Sequence, residues 1–117
     1  MKNSPYNIAI LGCGKVAHLH AQAIQNLPNA NLAAVWSRTK KNAVGFAMQY
    51  ETKAFENIAQ MVDSAQIDLV IVCTPHPFHR QPAVEAASAG AHILVEKPLA
   101  STLEDADAII DACKNSG

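Results

Sequence analysis

Several absences bound what this chain can be. Its uncharged apolar runs, such as LVIVC at Leu69 to Cys73, fall far short of the roughly 20 residues that a membrane-spanning helix requires. No membrane partner is therefore expected. Neither sign of charge dominates: nine Lys and Arg stand against ten Asp and Glu, a formal net charge of -1. That balance argues against a nucleic-acid partner or any non-specific polyanion binding. The three cysteines, Cys13, Cys73 and Cys113, are odd in number and form no C-x-x-C pair, which speaks against a disulfide frame or a zinc site and for reduced thiols. No cysteine has a neighbouring histidine that would mark a nucleophile. The five histidines show no ligand spacing with cysteines or carboxylates, so no metal is expected. At the amino terminus, MKNSPYNIAILG runs directly into a strand-like pattern without the long apolar core and cleavage site of a leader. A cytoplasmic protein is the expectation.

Half of the 117 residues are hydrophobic and 16% are charged, enough for one well-buried core and one domain spanning 1–117. Short apolar runs alternate with longer segments of helical period, the pattern of a parallel sheet covered by helices. Strands are predicted at Asn7 to Leu11, Leu32 to Trp36, Lys53 to Phe55, Leu69 to Cys73 and His92 to Val95. LVIVC, continuously apolar and rich in β-branched residues, reads as a central strand buried on both faces. Helices are predicted from the glycine turn to about Asn26, from Lys40 to Tyr50, from Asn57 through Val62, and from Phe78 to Ala89 with Gly90 ending the last of these. Thr39 and Asn57 are the expected N-caps of the second and third helices. A fifth helix opens at Ser101 or Thr102, where Ser101-x-x-Glu104 and Thr102-x-x-Asp105 resemble capping boxes and Leu103, Ala106, Ile109, Ile110 and Cys113 share a face. The fold class is α/β, a three-layer, doubly wound parallel sheet of the Rossmann type lacking its sixth and last strand. The fifth strand would then lie at a sheet edge that invites pairing with another chain, including a second copy of this one.

Gly12-Cys13-Gly14-Lys15-Val16-Ala17 forms G-x-G-x-x-A between the first strand and the first helix. Gly12 permits the tight turn, Gly14 admits a pyrophosphate close to the backbone, and Ala17 lets the helix approach the strand. The phosphates would rest on the helix amino terminus. The alternative is a turn that serves structure alone. Cys13 reads as packing, and Lys15 as solvated beside the turn. After the second strand the chain continues Ser37-Arg38-Thr39-Lys40-Lys41. No carboxylate is present to hold a ribose 2′-hydroxyl, as NAD sites usually require, whereas hydroxyls and a guanidinium suit the 2′-phosphate of NADP. NADP is favoured over NAD, against the alternative of a solvated basic loop.

Three motifs in this order and spacing carry a family resemblance: G-x-G-x-x-A-x-x-H at Gly12 to His20, Cys73-Thr74-Pro75-His76-Pro77-Phe78-His79, and Glu96-Lys97-Pro98. The chain resembles the amino-terminal domain of the glucose-fructose oxidoreductase and inositol dehydrogenase family, Gfo/Idh/MocA. That resemblance implies an NAD(P)-binding domain followed by an α/β substrate domain, which together oxidise or reduce sugars, polyols or related compounds. It implies that Lys97 contacts the reacting oxygen of the substrate, that Glu96 lies near the nicotinamide ribose, and that Pro98 fixes the turn that aims Lys97. It implies that Thr74 and Pro75 border the ribose and phosphates. His76 stands where many relatives have asparagine, and His79, like His20, fits a family position while reading as an interior packing residue. His18 and His92 carry no functional argument. A lysine at the end of a strand that merely reaches water is the plain alternative for Lys97. The substrate domain and its further catalytic residues would lie beyond Gly117, so this chain is expected to bind cofactor without turnover. Two other classes stay open: a regulatory nucleotide-sensing module, and a ligand-free domain that serves association.

Overall fold

The computed structural model describes residues 5–74 and 80–95. Five strands, β1 (Tyr6–Leu11), β2 (Ala30–Trp36), β3 (Lys53–Phe55), β4 (Leu69–Val72) and β5 (His92–Val95), form one parallel sheet in the order β3-β2-β1-β4-β5. Four helices alternate with them: α1 (Lys15–Gln25), α2 (Lys40–Tyr50), α3 (Ile58–Ser64) and α4 (Arg80–Ser88). Strand order reverses between β1 and β4, the expected doubly wound arrangement.

Each face of the sheet carries its own apolar layer. Ile8, Ile10, Val35 and Ile71 pack with Ala17, Ala21 and Ile24 of α1 and Phe46, Ala47 and Tyr50 of α2. Ala9, Leu11, Ala34, Val70 and Val72 pack on the opposite face with Ile58, Met61 and Val62 of α3 and Ala83 and Ala86 of α4. The two-residue period of a strand therefore splits β1 and β4 between the layers, and β4 is buried on both faces as its composition predicted.

Most differences from the predicted boundaries are short. β2 starts two residues early because Ala30 and Asn31 already pair with Tyr6 and Asn7, and one register shift places Ile8 opposite Leu32 but Ala9 opposite Ala34. β4 ends at Val72, yet Cys73 still donates its backbone N–H to Leu11 at 2.7 Å. Asn57 caps α3 as expected, its Oδ1 accepting from the Gln60 N–H at 2.8 Å. Thr39 departs from expectation: it occupies the N-cap position of α2, but its side chain makes no capping bond, and its own N–H instead donates to Ser37 Oγ at 3.4 Å. Gly90, at φ +102°, ends α4 in the left-handed region. The predicted fifth helix and the start of the predicted fourth at Phe78 lie outside the described residues.

Candidate functional site

A cleft of about 400 Å³ opens at the carboxyl ends of β1, β2 and β4. The backbone itself fixes its floor. Gly12 donates its N–H to Trp36 at 2.7 Å, Cys73 donates to Leu11 at 2.7 Å, and the turn that follows β1 is thereby held between its two neighbouring strands. Gly12 has φ +97°, and a Cβ there would come within 2.7 Å of the Thr74 nitrogen and 2.8 Å of the Cys73 carbonyl carbon. Only glycine fits, by conformation and by space.

Gly14 is a different case. Its φ is -84°, available to any residue, and a Cβ there would meet no protein atom within 4 Å. The protein does not crowd Gly14; the space above it is open to the cleft. Behind the turn, Ala17 is fully buried against the α1/α2 face, so α1 lies close to the sheet. Lys15 is exposed and Val16 borders the cleft.

The opposite wall is Ser37, Arg38 and Thr39, with Asn42 one turn into α2. Neither α1 nor α2 has a side chain capping its first turn. Gly14, Lys15 and Val16 at the start of α1 and Thr39 and Asn42 at the start of α2 line the same cleft, which brings the positive ends of both helix dipoles to it. No carboxylate lines it among the described residues. Lys40, one residue beyond Thr39, is paired with Glu56 at 3.4 Å, both side chains largely in water, where such a pair contributes little stability.

The cleft thus gathers Gly12, Gly14, Lys15, Val16, Ser37, Arg38, Thr39 and Thr74, with Ala17 behind them. Pro75, His76, His79, Glu96, Lys97 and Pro98 lie outside the described residues. Cys13 packs partly against the α1/α2 face, as expected, but also lines the cleft. Burial pushes its thiol pKa up, and a hydrogen bond with Ser37 offsets this only in part, so the neutral thiol is favoured. His20 is half-buried rather than interior. Sequence reasoning missed Asn42 and Cys73 as lining residues. Asn42 was findable, since it stands three residues after an N-cap position that faces the turn. His18, given no role, joins α1 to α2: its Nδ1 lies 2.6 Å from the Tyr50 hydroxyl and its ring centroid 4.7 Å from that of Phe46.

A parallel sheet in this order, with a glycine turn and an open helix end at the point where strand order reverses, defines a dinucleotide-binding Rossmann domain. The chain belongs to the Gfo/Idh/MocA oxidoreductase family: the model for "Oxidoreductase family, NAD-binding Rossmann fold" matches residues 6–117. Among curated relatives, glucose-6-phosphate 3-dehydrogenase of Bacillus subtilis is 34% identical over 107 residues, which cover 92% of this chain and 30% of that protein. The NADP(+)-specified scyllo-inositol 2-dehydrogenase of the same organism is 30% identical over 110 residues, covering 93% and 34%. Among solved structures, the WlbA dehydrogenase of Bordetella pertussis in complex with NADH and UDP-GlcNAcA superposes with a TM-score of 0.90 at 25% identity, over 100% of this chain and 34% of that one. The chain spans about a third of the length of these relatives. No helix among the described residues is long and apolar enough to cross a membrane.

Proposed function

We propose that the cleft binds NADP in preference to NAD, and that the chain is the cofactor domain of a longer oxidoreductase acting on a sugar, polyol or related hydroxy or carbonyl compound. One observation carries the cofactor reading: α1 and α2, which open into the cleft, lack side-chain caps, while α3, which opens elsewhere, is closed by Asn57. Two uncapped helix ends in one cleft suit a ligand with two separated anionic groups. The pyrophosphate takes the open space over Gly14, held by backbone amides at Lys15 and Val16. Ser37, Arg38 and Thr39 take the 2′-phosphate, the guanidinium supplying charge-assisted bonds that a bare hydroxyl would not repay. The absence of a carboxylate from the cleft wall among the described residues favours the same choice. Gly12 and Ala17 hold the turn and helix in place, and Thr74, followed by Pro75, His76 and His79, borders the ribose on the side of β4.

The bound nicotinamide supplies the hydride donor or acceptor. In the longer protein Lys97, at the carboxyl end of β5, contacts the substrate oxygen and moves its proton, with Glu96 near the nicotinamide ribose and Pro98 shaping the turn. Partial desolvation beside a cationic ring disfavours the ammonium form of such a lysine and suits it to proton transfer. The substrate class rests on the relatives, whose names specify a sugar phosphate and an inositol.

The test is a titration of the 117-residue chain with NADPH and NADH, followed by Trp36 emission and by calorimetry. Saturation at about tenfold lower NADPH than NADH is expected, a difference of about 1.4 kcal/mol. No turnover of sugars or polyols should accompany it. In the longer protein, Lys97→Met should abolish turnover and leave cofactor affinity intact. A folded sample that binds neither dinucleotide would overturn the cofactor reading, and turnover by residues 1–117 alone would overturn the division of labour.

A further inference from the structure

The two flanks of α1 are unequal. Its buried stripe of Ala17, Ala21 and Ile24 faces the sheet, and on one side of that stripe His18 packs against Phe46 and Tyr50 of α2. On the other side, Val16, His20 and Ala23 share a flank at helical spacing, and Leu27, in the turn just after the helix, continues it beside Leu69 of β4 and His92 of β5. No helix covers that side among the described residues, because α3 and α4 both pack on the opposite face. Ile93 of β5 joins that opposite layer, so its neighbours His92 and Leu94 project to the uncovered side, level with Leu69 of β4, half-buried, and Ile71, already buried in the α1/α2 layer. The result is an apolar surface in water: Val16 is 43% exposed, Leu27 53% and Leu94 48%. At its lower end it deepens into a hollow of about 500 Å³ lined by Tyr6, Ile8, Leu27, Pro28, Leu69 and His92.

The shape and topology restrict what can cover it. Two strands about 4.8 Å apart, flanked by one helix, leave a strip about one helix diameter wide. A right-handed crossover puts α4 on the other face, and any helix leading from β5 to a further parallel strand would follow it there. The cover must therefore come from outside this run of strand-helix-strand units. We propose that an amphipathic helix from the part of the protein beyond this domain lies beside α1 across β4 and β5, its apolar stripe over Leu27 and Leu94 and one bulky apolar side chain in the hollow. This rests on the reading of the chain as the cofactor domain of a protein about three times as long, the proportion that its relatives show.

The test compares the protein at the length its gene encodes with residues 1–117 alone, using Leu27→Glu and, as control, Met48→Glu on the outer side of α2, where Met48 is 76% exposed. Leu27→Glu should lower the Tm of the longer protein by about 5 °C or more while leaving the shorter chain nearly unchanged; Met48→Glu should be silent in both. If Leu27→Glu prevents the longer protein from folding, Leu27→Cys gives the answer: site-resolved alkylation should run at least about tenfold slower in the longer protein than in residues 1–117. A longer protein in which Leu27→Glu and Met48→Glu behave alike and Leu27→Cys is not protected would overturn the covered face alone. A shorter chain that buries the face by pairing with a second copy, with Leu27→Glu restoring the monomer, and a longer protein that pairs the same way would overturn the cis helix. A reading frame closing at Gly117 would instead remove the longer-protein reading itself.

Discussion

The amino ends of α1 and α2 differ from that of α3 in one respect that follows their position. All three helices begin where a strand has just ended or a short loop intervenes, and all need partners for their first-turn amides. Asn57 supplies one for α3 with a 2.8 Å bond. At α1 the N-cap is Gly14, with no side chain to offer, and at α2 the hydroxyl of Thr39 makes no cap bond although threonine is well suited to make one. Of these three helices, the one away from the cleft is closed by its own cap residue, and the two whose starts line the cleft are not. The paired glycines repeat the contrast. Gly12 is closed in by Thr74 and Cys73, whereas Gly14 faces open space. Functional sites commonly leave such local requirements unmet.

The contrast can be broken in order of expected size. Gly12→Ala must relieve both a positive φ and a 2.7 Å approach to backbone, so denaturant unfolding should show a loss of about 3 kcal/mol or more. Gly14→Ala should change stability by less than about 0.5 kcal/mol, because no protein atom opposes the new Cβ, and should still weaken dinucleotide binding by tenfold or more in calorimetry. Equal stability losses at the two glycines would break the comparison. Arg38→Ala should weaken NADPH binding by about ten- to a hundredfold, equivalent to the 1.5–3 kcal/mol of a charged hydrogen bond, and leave NADH binding unchanged. Thr39→Asp offers α2 the cap it lacks. It should raise stability by about 0.5 kcal/mol while reducing NADPH affinity, since a carboxylate then occupies the cleft wall. Asn57→Ala is the smallest and cleanest control: a loss of about 1 kcal/mol in stability, with affinity for either cofactor unaltered.

The sequence made the architecture legible because apolar runs and helical periods here agree with turn chemistry at each junction. Lys40 to Tyr50, Lys53 to Phe55 and His92 to Val95 stand as read, and Asn57 caps as its residue type predicts. The start of β2 was hidden because Ala30 and Asn31 are poor strand formers held by pairing with β1, a tertiary effect. Thr39 misled for the opposite reason: composition identifies a capable cap, but its hydroxyl makes no cap bond, while its backbone N–H donates to Ser37 Oγ. The cleft's glycine turn and basic loop were readable from spacing. Asn42 was reachable by counting three residues on from Thr39, whereas Cys73 was not, because lining a cleft depends on how strand ends converge. His18, read as carrying no functional role, joins α1 to α2, and that contact was not legible because its partners, Phe46 and Tyr50, lie on another helix.

The central claim is that both uncapped helix ends hold anionic groups of one ligand, and amide chemical shifts on adding cofactor test it most directly. NADPH should move the amides of Lys15 and Val16 at the start of α1 and those of Lys40, Lys41 and Asn42 at the start of α2, and leave Ala59 and Gln60 of α3 in place. NADH should move the α1 set and spare most of the α2 set. Saturable binding of NADPH that perturbs α1 alone, or that shifts the capped start of α3 as much as the start of α2, would contradict the account.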